Sequence, residues 1–272
     1  MTFWIATILG AVQGLTEFLP ISSTAHLRIT GEALLGHSPG TAFIAVVQLG
    51  TIAAVLVYFR KDLWKITTAF FRGLRDAGVR QTTEFRLALA IGFGTIPIGV
   101  VGFGLRKQIE GEADLHIIAW ALIVLGLLLL LADVLARHKR PIESVKVPDG
   151  LVVGCAQTLA LVPGVSRSGS TLTAGLFLGF ERAAAARFSF LLSVPAVLLS
   201  GLFELKGIGG VGGVGTAATA VATLMAFITG YLAIAGLLKY LAHHSTAVFV
   251  VYRVALGALV LLLLAKGALP PR

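Results

Sequence analysis

Six long apolar runs, at 42–58, 87–105, 117–135, 188–203, 216–238 and 248–265, constrain most of what this chain can become. A helix needs about 20 apolar residues to cross roughly 30 Å of hydrocarbon, and these runs approach or reach that length. Because lipid tolerates no unpaired backbone polar group, the alternatives are helices or a closed barrel. The runs are continuous rather than alternating in twos, which selects helices. With 57% hydrophobic and 13% charged residues over 272 positions, the composition is far from soluble, and an all-α polytopic membrane protein is expected.

The charges give the topology. Arg60, Lys61, Lys65, Arg72, Arg75, Arg80 and Arg86 crowd one interval between runs, and Arg137, Lys139, Arg140 and Lys146 crowd another. By contrast, residues 106–114 hold two basic and three acidic side chains, and residues 204–215 hold one of each. The positive-inside rule places the first two loops in the cytoplasm and the last two outside. The net charge of +9 therefore signals topology and contact with anionic membrane lipids, and no nucleic acid partner. Cys155 is the one cysteine, so no internal disulfide can form. The first charged residue is Glu17, so the start of the chain lacks the basic region of a signal peptide and is expected to belong to the mature structure.

Polar residues interrupt the apolar pattern at two places. Residues 1–19 contain Gln13 and Glu17 and end at Pro20, which disfavours helix at the residue before it. Ser22, Ser23 and Thr24 follow as good caps for a second helix through His26 toward Leu35. Each arm is short for a span, so residues 1–36 read as a re-entrant hairpin whose irregular tip lines a cavity.

Residues 150–181 repeat the pattern. Gly154-Cys155-Ala156-Gln157 echoes Gly10-Ala11-Val12-Gln13, and Pro163-Gly164-Val165-Ser166-Arg167-Ser168 echoes the first break, with its proline shifted by one position. Three apolar runs follow each hairpin. One membrane domain of two repeats is expected, about 1–140 and about 147–272, each a re-entrant hairpin plus three transmembrane helices. An odd number of crossings per repeat inverts the second copy, so the first hairpin enters from outside, the second from inside, and both termini lie outside. Gly207-Ile208-Gly209-Gly210-Val211-Gly212 matches a dinucleotide fingerprint literally, but without a βαβ setting it reads as an external linker.

The tips carry the chemistry. Gln13 and Glu17 are four residues apart and share a helix face. A carboxylate in an apolar setting needs a partner, so an arginine or a divalent cation is expected beside Glu17, and hard amide and carboxylate oxygens suit Mg²⁺ or Ca²⁺. Ser22, Ser23 and Thr24 open one helix; Ser166, Ser168, Gly169, Ser170 and Thr171 open another around Arg167. Hydroxyls and free N–H groups at helix starts bind anions, and arginine grips phosphate oxygens in pairs. Ser23 could attack phosphorus, activated by Glu17 or by His26, while Arg167 and backbone amides hold the developing charge.

Gln13-x-x-x-Glu17, Leu19-Pro20-Ile21-Ser22-Ser23-Thr24 with His26, and Pro163-Gly164-Val165-Ser166-Arg167-Ser168-Gly169-Ser170-Thr171 resemble the signatures of the bacterial undecaprenyl-diphosphatase (bacitracin resistance) family. The resemblance covers essentially the whole chain. It implies an inner-membrane enzyme that hydrolyses undecaprenyl diphosphate to undecaprenyl phosphate and inorganic phosphate, recycling the lipid carrier of peptidoglycan and other envelope polymers. It further implies a divalent cation and a site opening to the external face. Carried over by position, Glu17, Ser23, His26 and Arg167 are catalytic. Gln13, Ser22, Thr24, Ser166, Ser168, Gly169 and Thr171 contact substrate, and Glu17 and Gln13 are the metal ligands. Many family members have Glu where this chain has Gln13, which keeps an oxygen ligand without the charge. Ser23 is favoured over His26 as the nucleophile. The rival reading is an inverted-repeat transporter or lipid flippase, which needs binding groups but no nucleophile. The oligomeric state stays open, with a homodimer compatible.

Overall fold

The computed structural model describes residues 1–104, 114–205 and 215–269. The Gly207 to Gly212 run and most of both loops expected outside lie beyond the described residues. Eleven α-helices occur among those described: α1 Phe3–Phe18, α2 Ser23–Leu35, α3 Thr41–Tyr58, α4 Arg60–Gly73, α5 Thr83–Gly104, α6 Leu115–Leu135, α7 Val147–Thr158, α8 Arg167–Phe177, α9 Arg182–Leu205, α10 Thr216–Leu241 and α11 Ala247–Ala265. No β-strand occurs among the described residues.

Helices α5, α6, α9, α10 and α11 are long and apolar enough to cross a membrane, and α3 supplies a sixth candidate joined to α4 through a 74° bend. All six fall on the apolar runs. Helices α1 and α7, with 16 and 12 residues, rise only about 24 and 18 Å at 1.5 Å per residue, so neither crosses the hydrocarbon alone. Each is followed, after a short break, by a second short helix that packs against it, which is compatible with a hairpin.

Residues 60–86, expected as a charged loop, contain α4. Leu63, Ile66, Phe70 and Gly73 recur at helical spacing. Ile66, Ala69 and Gly73 are buried while Trp64 and Phe71 stay exposed. Gly73 faces Phe85 of α5 so closely that any side chain there would strike the ring.

Pairing between helices follows the two-copy pattern. Helix α1 packs on α10 from the second half of the chain, and α7 packs on α5 from the first half. Small residues permit this approach. A side chain at Gly10 would strike the Ala222 carbonyl, and one at Gly154 would strike that of Gly94. Close backbone approach of this kind is how helices associate in lipid, where burial from water gives little drive. The exchanged pairing is compatible with an inverted repeat.

Ion pairs gather at one end of the bundle. Asp62 after α3 meets Arg187 of α9 at 2.7 Å, and Asp133 near the end of α6 meets Arg182 at 2.6 Å and the Thr246 amide at 2.9 Å. Arg140 holds Asp149 of α7 at 2.6 Å, bonds the Leu178 carbonyl and lies 4.2 Å over the Phe180 ring. These links tie the loops that carry most of the positive charge. Beneath the first hairpin, Phe18 meets Phe190 edge-on at 5.5 Å, in the main core cluster.

Candidate active site

Both hairpin breaks adopt the same unusual backbone. Ser22 has φ 74° and ψ 102°, and Ser166 has φ 73° and ψ 113°. Among the described non-glycine residues only His138 shares a positive φ. Such conformations cost about 1–3 kcal/mol each and persist only where neighbours enforce them. They also correct the register inferred from the prolines: Ser22 matches Ser166, so Pro20 falls on Gly164 and Glu17 on Leu161.

The helix after each break starts differently. Ser166 caps α8 with its hydroxyl, which accepts the Gly169 amide at 3.1 Å. Ser22 gives α2 no side-chain cap, so the amides at the start of that helix are free of one. Uncapped amides at a helix start are suited to binding an anion.

Glu17 is the hub. Its Oε1 accepts from Arg167 Nη2 at 2.5 Å, while its Oε2 accepts from Ser23 Oγ at 2.6 Å and from Gln13 Nε2 at 3.1 Å. The sequence-predicted Gln13, Glu17, Ser23 and Arg167 therefore meet in one cluster, although Arg167 lies 144 residues after Ser23. The Glu17 and Arg167 side chains are only 10% and 18% exposed, so the pair is largely shielded from solvent. One arginine nitrogen holds the carboxylate, which leaves the rest of the fork for further oxygens.

Ser168 ties the two tips, donating to the Leu19 carbonyl at 3.0 Å and sitting 3.2 Å from Ser166 Oγ. Gly169 lies where any side chain would meet Arg253 Nη1 at 2.7 Å. Thr171 is fully buried, bonding the Arg167 carbonyl and Ser189 of α9, and Thr24, next to Ser23, is exposed. His26 makes no hydrogen bond to Ser23 or Glu17: its Nδ1 is 2.7 Å from the Ser22 carbonyl, and its Nε2 is 2.7 Å from the Tyr252 hydroxyl.

Tyr252 and its neighbour Arg253, both on α11, escape the sequence reading. Arg253 is fully buried and donates to five carbonyls: Pro20 in the first break, Gly164 and Val165 in the second, and Ala121 and Leu122 of α6. One guanidinium thus pins both breaks to each other and to two spans. A lone arginine midway along an apolar helix is itself a signal for this.

The whole chain resembles sequences of one family. Residues 6–259 match the family described as bacitracin resistance protein BacA. The chain belongs to this BacA family. Among its relatives, the undecaprenyl-diphosphatase of Myxococcus xanthus is 52% identical, with 100% of this chain and 92% of the relative covered. That of Gloeobacter violaceus is 53% identical over 97% of this chain and 93% of the relative. The undecaprenyl-diphosphatase 2 of Streptomyces coelicolor is 47% identical over 100% and 98%.

A divalent cation can be tested against the BacA-family site. Among the described residues no group of three or more His, Cys, Asp or Glu side chains could hold one. Gln13 Oε1, however, is buried without a partner, while Nε2 of the same amide donates to Glu17. A hard oxygen suits an ion such as Mg²⁺, which commonly takes its remaining ligands from water and substrate phosphate.

Proposed function

We propose that this chain is an undecaprenyl-diphosphatase, releasing inorganic phosphate and undecaprenyl phosphate and so returning the lipid carrier for peptidoglycan and other envelope polymers. The observation that carries the reading is the Ser23 hydroxyl donating to Glu17 at 2.6 Å, with Arg167 on the other carboxylate oxygen. A hydroxyl, a base and a phosphate-binding cation within one contact shell form a phosphoryl-transfer site. A transporter needs no such activated hydroxyl, and the full-length likeness to proteins named undecaprenyl-diphosphatase also favours the enzyme. The bacitracin resistance in the family's description extends to this chain on the same ground.

In this mechanism Ser23 Oγ bonds the terminal phosphorus while its proton passes to Glu17. The bridging P–O bond breaks, and undecaprenyl phosphate leaves with the bridging oxygen. Arg167 and the uncapped amides at the start of α2 hold the negative charge of the transferred group. Water then replaces Ser23 on phosphorus. As the Oγ–P bond breaks, the proton on Glu17 returns to Ser23, and inorganic phosphate departs with both water protons. A divalent cation would neutralise phosphate charge; Gln13 Oε1 is the unpartnered oxygen that could ligate it, whereas both Glu17 oxygens are already engaged by Arg167, Ser23 and Gln13.

The basic end of the bundle supports a cytoplasmic placement of loops 60–86 and 136–146 in the bacterial inner membrane, with the site opening to the external face. The prenyl tail then lies among the helices while the diphosphate reaches the tips. The test is phosphate release from undecaprenyl diphosphate by purified protein in detergent. Turnover that disappears in a folded Ser23→Ala variant supports the reading, and undiminished turnover in that variant contradicts it.

A further inference from the structure

His26 contributes nothing to the Glu17 cluster, yet both its ring nitrogens are engaged. The Ser22 carbonyl can only accept, so Nδ1 carries the proton of that 2.7 Å bond. In the neutral ring Nε2 is then an acceptor, and the Tyr252 hydroxyl 2.7 Å away donates to it. The two rings also stack, with centroids 5.5 Å apart and 12° between planes. Arg253, the next residue along α11, anchors that helix to both breaks and so holds Tyr252 in place.

The second hairpin serves as an internal control. At α8 the first helical bond, from the Ser170 amide to the Ser166 carbonyl, measures 2.9 Å, and the Ser166 hydroxyl caps the Gly169 amide. At α2 the corresponding bond, from the His26 amide to the Ser22 carbonyl, is stretched to 3.4 Å, and Ser22 provides no cap. The short imidazole bond falls on the carbonyl whose backbone bond is long. The same positive φ is thus enforced in two ways: by the serine's own hydroxyl in one hairpin, by His26 in the other.

We infer that Tyr252 is a positioning residue: its hydroxyl selects the Nδ1–H tautomer of His26, which braces the Ser22 carbonyl and thereby orients Ser23 toward Glu17. His26 is then a brace and not the proton acceptor for Ser23. The amides at the start of α2 stay uncapped for a phosphoryl group because the imidazole does the holding. This deepens the phosphatase reading, on which its kinetic consequence rests; the tautomer does not depend on that reading.

The test has two arms on the full-length protein in detergent. In the first, ¹⁵N-histidine NMR with long-range proton correlation, assigned by the loss of one signal in His26→Asn, shows the Nδ1–H tautomer for His26. That tautomer gives way to a mixture in Tyr252→Phe. An Nε2–H His26 in the unaltered protein overturns the inference whatever the activity. In the second, asparagine retains a donor at the Nδ1 position and glutamine does not, so His26→Asn outperforms His26→Gln in kcat. Tyr252→Phe lowers kcat about 10- to 100-fold with KM little changed, the scale of a misplaced reacting group. It brings no further loss in the His26→Asn background, where there is no tautomer to select. Equal losses in both backgrounds, no loss in Tyr252→Phe alone, or His26→Gln matching His26→Asn each contradict it. If the unaltered protein releases no phosphate from undecaprenyl diphosphate, the phosphatase reading fails while the first arm still decides the tautomer.

Discussion

Offset by 144 residues, the two hairpins carry Gln13 and Gln157, Ser22 and Ser166, and the same positive-φ break, yet Glu17 corresponds to Leu161 and His26 to Ser170. In the first hairpin the glutamine bonds its carboxylate one turn on. In the second no carboxylate follows, and Gln157 is fully buried with neither its oxygen nor its nitrogen partnered. Reactive groups concentrate on the first tip, whereas the second contributes Arg167 and the well-capped start of α8. The same break backbone thus occurs twice, and the two copies differ in the polar groups they carry.

The comparison can be broken first at the carboxylate. Ser23→Ala and Glu17→Gln lower phosphate release by about 10³-fold or more, because each removes a member of a unit that acts together. Next comes the group that crosses between hairpins. Arg167→Ala loses about 10²–10³ in kcat, the scale of a removed charge-stabilising donor, and Arg167→Lys recovers only part, because an ammonium cannot bond the carboxylate and a phosphate as a fork does.

The glutamines give the sharpest contrast at moderate size. Gln13→Leu, which strips a donor from Glu17, lowers turnover about tenfold, equivalent to roughly 1.4 kcal/mol. Gln157→Leu leaves turnover unchanged and keeps or raises the thermal midpoint, because it replaces a buried amide without partners. A large loss in Gln157→Leu would show that the second hairpin retains a polar function. The smallest effect separates the caps: Ser166→Ala destabilises by about 1 kcal/mol through the lost bond to Gly169, and Ser22→Ala by less, since Ser22 caps nothing. Thermal unfolding in detergent reads both.

Much of this was legible in the chain. Five spans and a sixth candidate follow from run length, and the two helix breaks follow from polar residues and Pro20 or Pro163 interrupting apolar sequence. Gln13, Glu17, Ser23 and Arg167 stand out because such groups in an apolar setting need partners. What escaped depends on approach in three dimensions. Tyr252 looks like one more ring in an apolar run, and nothing local to it announces His26, which lies 226 residues away in the chain. Arg253 was more accessible, as a guanidinium amid a span, but its five carbonyl partners come from both repeats. Helix α4 hides among basic residues that dominate the composition of its interval, although Leu63, Ile66 and Gly73 mark a buried face.

The central claim, that Ser23 on the first hairpin is the nucleophile served by Glu17 and by Arg167 from the second, meets its most direct test in a rapid acid quench. Undecaprenyl diphosphate labelled in its terminal phosphate is mixed with the purified protein, and the quenched chain is digested and read by mass spectrometry. The account predicts transient phosphate on Ser23, absent in Ser23→Ala. Phosphate carried by His26 instead, or Ser23→Ala turning over at the rate of the unaltered protein, would contradict it.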